Sequence, residues 1–196
     1  MGQRLDRGYL HGSEALLSEL SRIKNHSASV VYSHDSKLIG KYFLQNRMTI
    51  DNESISPHVK NALVATEDSR FFKHKGLDLI SLGRVLVKSV ILMNKEQGGG
   101  STISQQLARN LYHRRDFGRM SMPINKVREI FISARLEKVY SKDEVLALYL
   151  NTVPFGENVF GIEVAARQFF SKPSSDLNPS ESAVLVGMLA ANTAYN

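Results

Sequence analysis

Apolar residues at four-residue spacing recur along most of the chain, so most of it reads as helix. Val59 and Leu63, continued by Glu67, share one face of a segment opened by Ser56-Pro57, an N-cap followed by proline at the first helical position. After Gly76 the run Leu77 to Met93 is apolar and helix-like, and the loop Glu96 to Gly100 follows. Ser101 starts a helix to about His113. A basic connector, Arg114 to Arg119, leads to Pro123 and a long helix over Asn125 to Tyr140. In that helix Val127, Ile130, Phe131 and Ala134 form the expected buried stripe. Ser141 with Glu144 predicts a capping box and a helix through Leu150. Two more helices are expected over Gly161 to Phe170 and Pro179 to Ala191, the second capped by Asn178 with Glu181. The pattern changes only between Val30 and Phe43, where two strand-like runs flank His34-Asp35-Ser36-Lys37 and predict a short N-terminal β-hairpin. Residues 1–27 read as a polar extension or linker with an amphipathic stretch at Leu16, Leu17, Leu20 and Ile23.

The expected fold class is mainly α, and 196 residues suit one domain with a substantial core, over residues 28–196. A net charge of +6 favours phosphate-bearing partners without choosing among nucleic acid, anionic lipid and a pyrophosphate substrate. There is no cysteine, which removes disulfides and Cys-based zinc sites. No signal peptide and no run of about 20 apolar residues occurs, so a membrane anchor is expected outside this chain. Asn196 closes the sequence without a clear end signal, as in a fragment.

Three clusters could carry chemistry. The first is Glu67-Asp68-Ser69-Arg70-Phe71-Phe72-Lys73-His74-Lys75-Gly76. Glu67 extends an apolar stripe, and a partly desolvated carboxylate suits proton transfer. Spacing alone favours a solvated helix end beside Arg70 and Lys73. The second runs from Gly98-Gly99-Gly100-Ser101-Thr102 to Asn110, where glycines and a helix start favour an anion. Thr102, Gln105 and Arg109 share a polar stripe opposite Ile103, Leu107 and Leu111. An ordinary flexible loop before a capped helix fits equally, and the Walker pattern is missing. The third is Asn125-Lys126-Val127-Arg128-Glu129, in which Lys126 and Glu129 are neighbours at i, i+3. Glu129 is either half of a surface ion pair or a second carboxylate among cations able to hold a leaving phosphate.

Taken in order, Glu67-Asp68-x-x-Phe71-x-x-His74-x-Gly76, then Gly99-x-Ser101-Thr102-Ile103-x-Gln105-Gln106-Leu107-x-x-Asn110, then Lys126-x-x-Glu129, resemble the peptidoglycan glycosyltransferases of glycosyltransferase family 51. This is the transglycosylase domain of class A penicillin-binding proteins and of monofunctional transglycosylases. Lys142 to Asn151, Gly161 to Ala166 and Glu181 to Leu189 continue the resemblance. It implies a two-lobed fold, with a lysozyme-like large lobe and a smaller, mobile, membrane-facing lobe over residues 77–97. It implies polymerisation of lipid II, with the growing glycan strand on undecaprenyl pyrophosphate as donor, at the extracytoplasmic face of a bacterial cell membrane. By motif position Glu67 would be the general base and Glu129 would assist departure of the pyrophosphate. Arg109, Lys126 and Arg128 would neutralise it, and Ser101, Thr102, Gln105, Gln106 and Asn110 would shape the donor site. Asp68, Phe71, His74 and Gly76 would complete the substrate site. No cofactor is required and no dedicated metal site is visible, although Mg or Mn beside the pyrophosphate or Asp68 is compatible with the pattern.

The chain departs from the family at three points. Arg109 stands where lysine is common, Asn125-Lys126 where an Arg-Lys pair is common, and Ser121 where an upstream arginine is usual. Arg119, or Arg114 and Arg115, are the candidates to supply that arginine after a change in loop length. A lysozyme-like glycan-cleaving enzyme fits the two glutamates but has no need of the cations. A non-catalytic binder of anionic membrane or nucleic acid fits the charge but is opposed by carboxylates inside the basic motifs. No nucleic-acid partner is therefore expected, whereas a membrane surface and other cell-wall synthesis proteins are. Ser21-Arg22-Ile23-Lys24 lacks the companion motifs of a transpeptidase.

Overall fold

The computed structural model describes residues 20, 29–35, 38–42, 46–81, 83, 100–112, 114–156 and 158–194. Within them the protein is mainly helical, with α1 Pro57–Glu67, α2 Ile103–Leu111, α3 Ser121–Val139, α4 Lys142–Thr152, α5 Ile162–Phe170 and α6 Pro179–Ala194. β1 Ser29–Tyr32 pairs antiparallel with β2 Leu38–Tyr42, Val30 opposite Lys41. A two-residue parallel pair, β3 Asn46–Arg47 with β4 Val159–Phe160, had no signal in the sequence pattern.

Helix starts follow the expected chemistry. The Ser56 hydroxyl accepts from His58 N–H at 3.3 Å and donates to the Leu177 carbonyl at 2.9 Å, so one side chain caps α1 and ties it to the approach to α6. Ser141 and Glu144 form the reciprocal capping box of α4, and Asn178 and Glu181 exchange the same pair of bonds at α6. α2 begins at Ile103 with Thr102 as its cap, two residues later than predicted, because the Thr102 hydroxyl accepts from Gln105 N–H. α3 begins at Ser121 rather than Asn125. Pro123 lies in its first turn, where no intrahelical N–H donor is yet needed.

The core gathers Leu63, Phe71, Ile103, Leu107, Leu136, Leu146, Leu150, Phe155, Ile162 and Leu185. Removing each such side chain from water contributes about 1.5–3 kcal/mol. α1 packs on α6, and α2 packs on both α3 and α4, which makes α2 the central strut of the site. Leu20 joins this core, and its carbonyl accepts from the Tyr140 hydroxyl at 2.5 Å. Of the predicted helix over Leu77 to Met93, residues 79–81 and 83 are helical, and Leu82 and 84–93 lie outside the described residues. The amphipathic positions Leu16, Leu17 and Ile23, the hairpin turn residues Ser36 and Lys37, and the loop 96–99 lie outside them too.

The buried stripe expected along α3 is corrected by the structure. Val127 and Phe131 are 52% and 64% exposed, while Asn125, Glu129, Ser133 and Leu136 face inward. A helix turns its polar face in only where that face is fully partnered. Asn125 Nδ2 donates to the Arg115 and Ser121 carbonyls, Glu129 meets two cations, and the Ser133 hydroxyl reaches the Gly76 carbonyl at 3.2 Å.

Candidate active site

Glu67 closes α1, half-buried, on the same side as the buried Val59 and Leu63. Gln106 Nε2 donates to Glu67 Oε2 at 2.8 Å, and Gln106 Oε1 accepts from the Tyr149 hydroxyl at 2.9 Å. Burial, reinforced by the Glu67 charge and opposed by Arg109, pushes the Tyr149 phenol well above its ordinary value. Its proton therefore stays in place as a donor. A neighbouring carboxylate with one oxygen held by an amide is ordered yet able to accept a proton on the other.

The next residues build the floor. Asp68 is buried, and its Oδ2 accepts from His74 Nε2 at 2.9 Å and from Ile103 N–H at 3.2 Å, so it closes the start of α2. Phe71 is fully buried, with its ring edge to the His74 ring and beneath the Lys142 ammonium at 4.1 Å. Gly76 has φ +82, and a Cβ there would lie 2.8 Å from the Ala134 nitrogen. That close approach lets the Gly76 carbonyl accept from Thr102 Oγ1 at 2.8 Å, Gln105 Nε2 at 3.3 Å and Ser133 Oγ. Gly76 and Thr102 thus hold α2 against α3 and Asp68 is partnered within the chain, while His74 Nδ1 is buried without a partner among the described residues.

The cations gather around Ser101, Gln105 and Glu129. Lys126 Nζ donates to Ser101 Oγ at 2.8 Å and Gln105 Oε1 at 2.7 Å, and stands 3.5 Å from Glu129 Oε2. Arg114 Nε donates to Glu129 Oε1 at 3.1 Å. Glu129 is only 6% exposed, so each of its oxygens faces a cation in a partly dry setting. Burial lowers the Lys126 ammonium from its ordinary value. Glu129 opposes that shift, and Arg109 and Arg114 add to it. Arg109, on the last turn of α2, thus lies within electrostatic range of both Tyr149 and Lys126. Arg128 donates to Asn125 Oδ1 at 2.9 Å, and the same oxygen accepts from Arg115 N–H, which pins the basic connector to α3.

A family model described as Transglycosylase matches residues 35–196. The chain belongs to the transglycosylase family. The biosynthetic peptidoglycan transglycosylase of Nitrosomonas eutropha is 42% identical over 153 residues, 78% of this chain and 60% of that protein. Penicillin-binding protein 1F of Bacillus subtilis is 35% identical over 173 residues, 87% of this chain and 23% of that protein. Penicillin-binding protein 1A of Escherichia coli is 36% identical over 166 residues, 85% of this chain and 19% of that protein. The chain therefore spans about a fifth of the penicillin-binding proteins it matches.

In this transglycosylase domain the consecutive amides Gln105 and Gln106 join the two halves of the site, one holding Lys126 and the other Glu67. Ser101 stands with the cations, and Arg109 and Asn110 sit half-buried on the last turns of α2. One participant, Tyr149, was not singled out from the sequence, and another, Arg114, was named only as an alternative. Tyr149 lies between Leu148 and Leu150 and reads as an ordinary core aromatic. Arg114 stands in the sequence only as one of three arginines that could fill the place upstream of Lys126, and the structure adds its hydrogen bond to Glu129.

Proposed function

We propose that this domain is a peptidoglycan glycosyltransferase that polymerises lipid II by inverting transfer and releases undecaprenyl pyrophosphate. The observation that carries this reading is the amide pair Gln105-Gln106, which holds a carboxylate and a cluster of cations at adjacent positions of one helix. Such a layout suits a transfer in which a base acts on the acceptor while charge builds on a phosphate leaving group. Glu67 takes the proton of the acceptor 4-hydroxyl as that oxygen attacks the anomeric carbon of the growing strand. The bond from that carbon to the pyrophosphate oxygen breaks, and the electron pair leaves with the pyrophosphate. Lys126, Arg109, Arg114 and Arg128 neutralise the departing charge, and Glu129 organises Lys126 and Arg114 around it. Ser101, Gln105 and Asn110 shape the donor side. Asp68, Phe71, His74, Gly76 and Thr102 support it from beneath.

Cleavage of glycan is the weaker reading, because a hydrolase has no use for cations gathered beside the second carboxylate. No cofactor is required by the proposal. A Mg or Mn ion would come with the pyrophosphate oxygens, since no three His, Asp or Glu side chains converge among the described residues.

The reading also places the domain at the extracytoplasmic face of a bacterial membrane, with a lysozyme-like large lobe and a smaller lobe over residues 77–97 against the lipid. The exposed Leu79 and Ile80, at the start of the apolar run to Met93, support it. Other cell-wall synthesis proteins are its expected partners. Among the described residues no helix is long and apolar enough to cross a membrane.

The test is Glu67→Gln, assayed for glycan polymer and undecaprenyl pyrophosphate from lipid II. Turnover should fall about 10²- to 10⁴-fold with thermal melting unchanged. Near-parental turnover in a folded variant would remove Glu67 as base, and glycan products without pyrophosphate release would favour the hydrolase.

A further inference from the structure

Tyr149 is 2% exposed, in the middle of α4, where a phenylalanine would fill the same hole. What needs a reason is the hydroxyl, because burying a phenol O–H is costly unless it finds a partner. Its partner is Gln106 Oε1, and the other end of that amide donates to Glu67. We infer that Tyr149 is a positioning residue for the base: it acts through Gln106 by fixing which end of the amide faces Glu67.

A glutamine side chain can present either end to a neighbour after a half-turn about its last torsion. With Nε2 toward Glu67, both contacts are donor to acceptor. After the half-turn Oε1 would face the Glu67 carboxylate, two acceptors together, and the Tyr149 proton would meet an NH₂ group. Tyr149, its own proton held, therefore reinforces the orientation that the acceptor-only Glu67 carboxylate requires. Donation into Oε1 also polarises the amide and strengthens the hydrogen bond that Nε2 donates to Glu67. Glu67 Oε2 is thereby occupied. Among the described residues none donates to Oε1, which is left to receive the proton of the acceptor.

The three residues come from three helices, α1, α2 and α4, and meet 39 and 43 positions apart in the chain. The relay rests on the reading of Glu67 as general base, and the experiment separates the two. Tyr149→Phe keeps the ring and removes the donor. It should lower kcat for lipid II polymerisation about three- to ten-fold with KM little changed. Weaker donation to the charged carboxylate should also move the acid limb of the kcat/KM profile to higher pH. In a Gln106→Ala background the same substitution should add nothing, because the path to Glu67 is already cut. Site-specific 3-fluorotyrosine at position 149, a stronger donor of nearly the same size, should move the acid limb the other way, and it serves if Tyr149→Phe fails to fold. An unmoved acid limb in both replacements, or losses that add in the double variant, would overturn the relay. If Glu67→Gln is inactive in that case, only the positioning role of Tyr149 falls. If Glu67→Gln is active, the base falls and the relay with it.

Discussion

Gly76 shows how much of the site rests on a residue with no side chain. Its carbonyl collects three donors from two helices, and this is feasible because its backbone lies against Ser133 and Ala134 with no room for a Cβ. Gly76→Ala should destabilise the domain by about 2–4 kcal/mol, from overpacking against backbone and the strain of a positive φ. A lowered denaturant midpoint at constant slope would register it, and a stability equal to the parent's would mean that α3 can give way. Turnover should fall as well, since Gln105 leans on the same carbonyl while it holds Lys126. The motif positions of Glu67, Gln106 and Lys126 were legible in the chain. The tasks of Asp68 and His74 were not, because an acid and an imidazole near the candidate base look alike whether they face a substrate or each other.

Among the elements, the turn that begins at residue 79 is anchored by a carboxylate the sequence did not single out. Asp78 Oδ1 accepts from the N–H groups of Ile80 and Ser81, and Oδ2 from the Ser81 hydroxyl and Arg70 Nε. Burial alone would raise its carboxyl, but the Ser81 bonds and the Arg70 guanidinium outweigh it and hold it at about 2, below the ordinary 3.8. A depressed folded value stabilises the fold above the unfolded value, and that contribution is lost as pH falls through the folded one. The stability gap between the parent and Asp78→Asn should therefore be about 1–2 kcal/mol at neutral pH and close between about pH 4 and 2. Equilibrium unfolding across that range checks it, and a gap independent of pH would mean that shape matters here and charge does not. Element boundaries set by caps, such as Ser56 and Ser141, were legible because a cap and its helix are adjacent in sequence. The facing of α3 was not. Hydrophobic periodicity turns Val127 and Phe131 inward, whereas the partners that bury Asn125, Glu129 and Ser133 come from the Arg114–Arg115 connector and from Gly76. Such partners leave no trace in a local pattern.

For the molecule as a whole, ordered motifs across most of the chain made the family legible, and no single one would have done so. Its relation to a membrane is the largest expectation still to be measured. Replacing Val85, Ile91 and Leu92 with Ser should weaken binding to anionic liposomes at least about ten-fold. It should slow turnover on bilayer-embedded lipid II and spare turnover on a short-chain soluble analogue. Unchanged liposome binding, or an unfolded variant, would return that segment to the core. The neighbouring amides of α2 have a consequence at this scale too. Consecutive residues on a helix are separated by 1.5 Å along its axis and about 100° around it, so on the proposed mechanism Gln105 and Gln106 would work as a gauge between proton acceptor and cations. Sugars added beyond the reacting ring, or carbons added to the lipid, would then lie outside its jaws and leave the fit unchanged. A spacer inserted between the anomeric carbon and its first phosphate would overrun them.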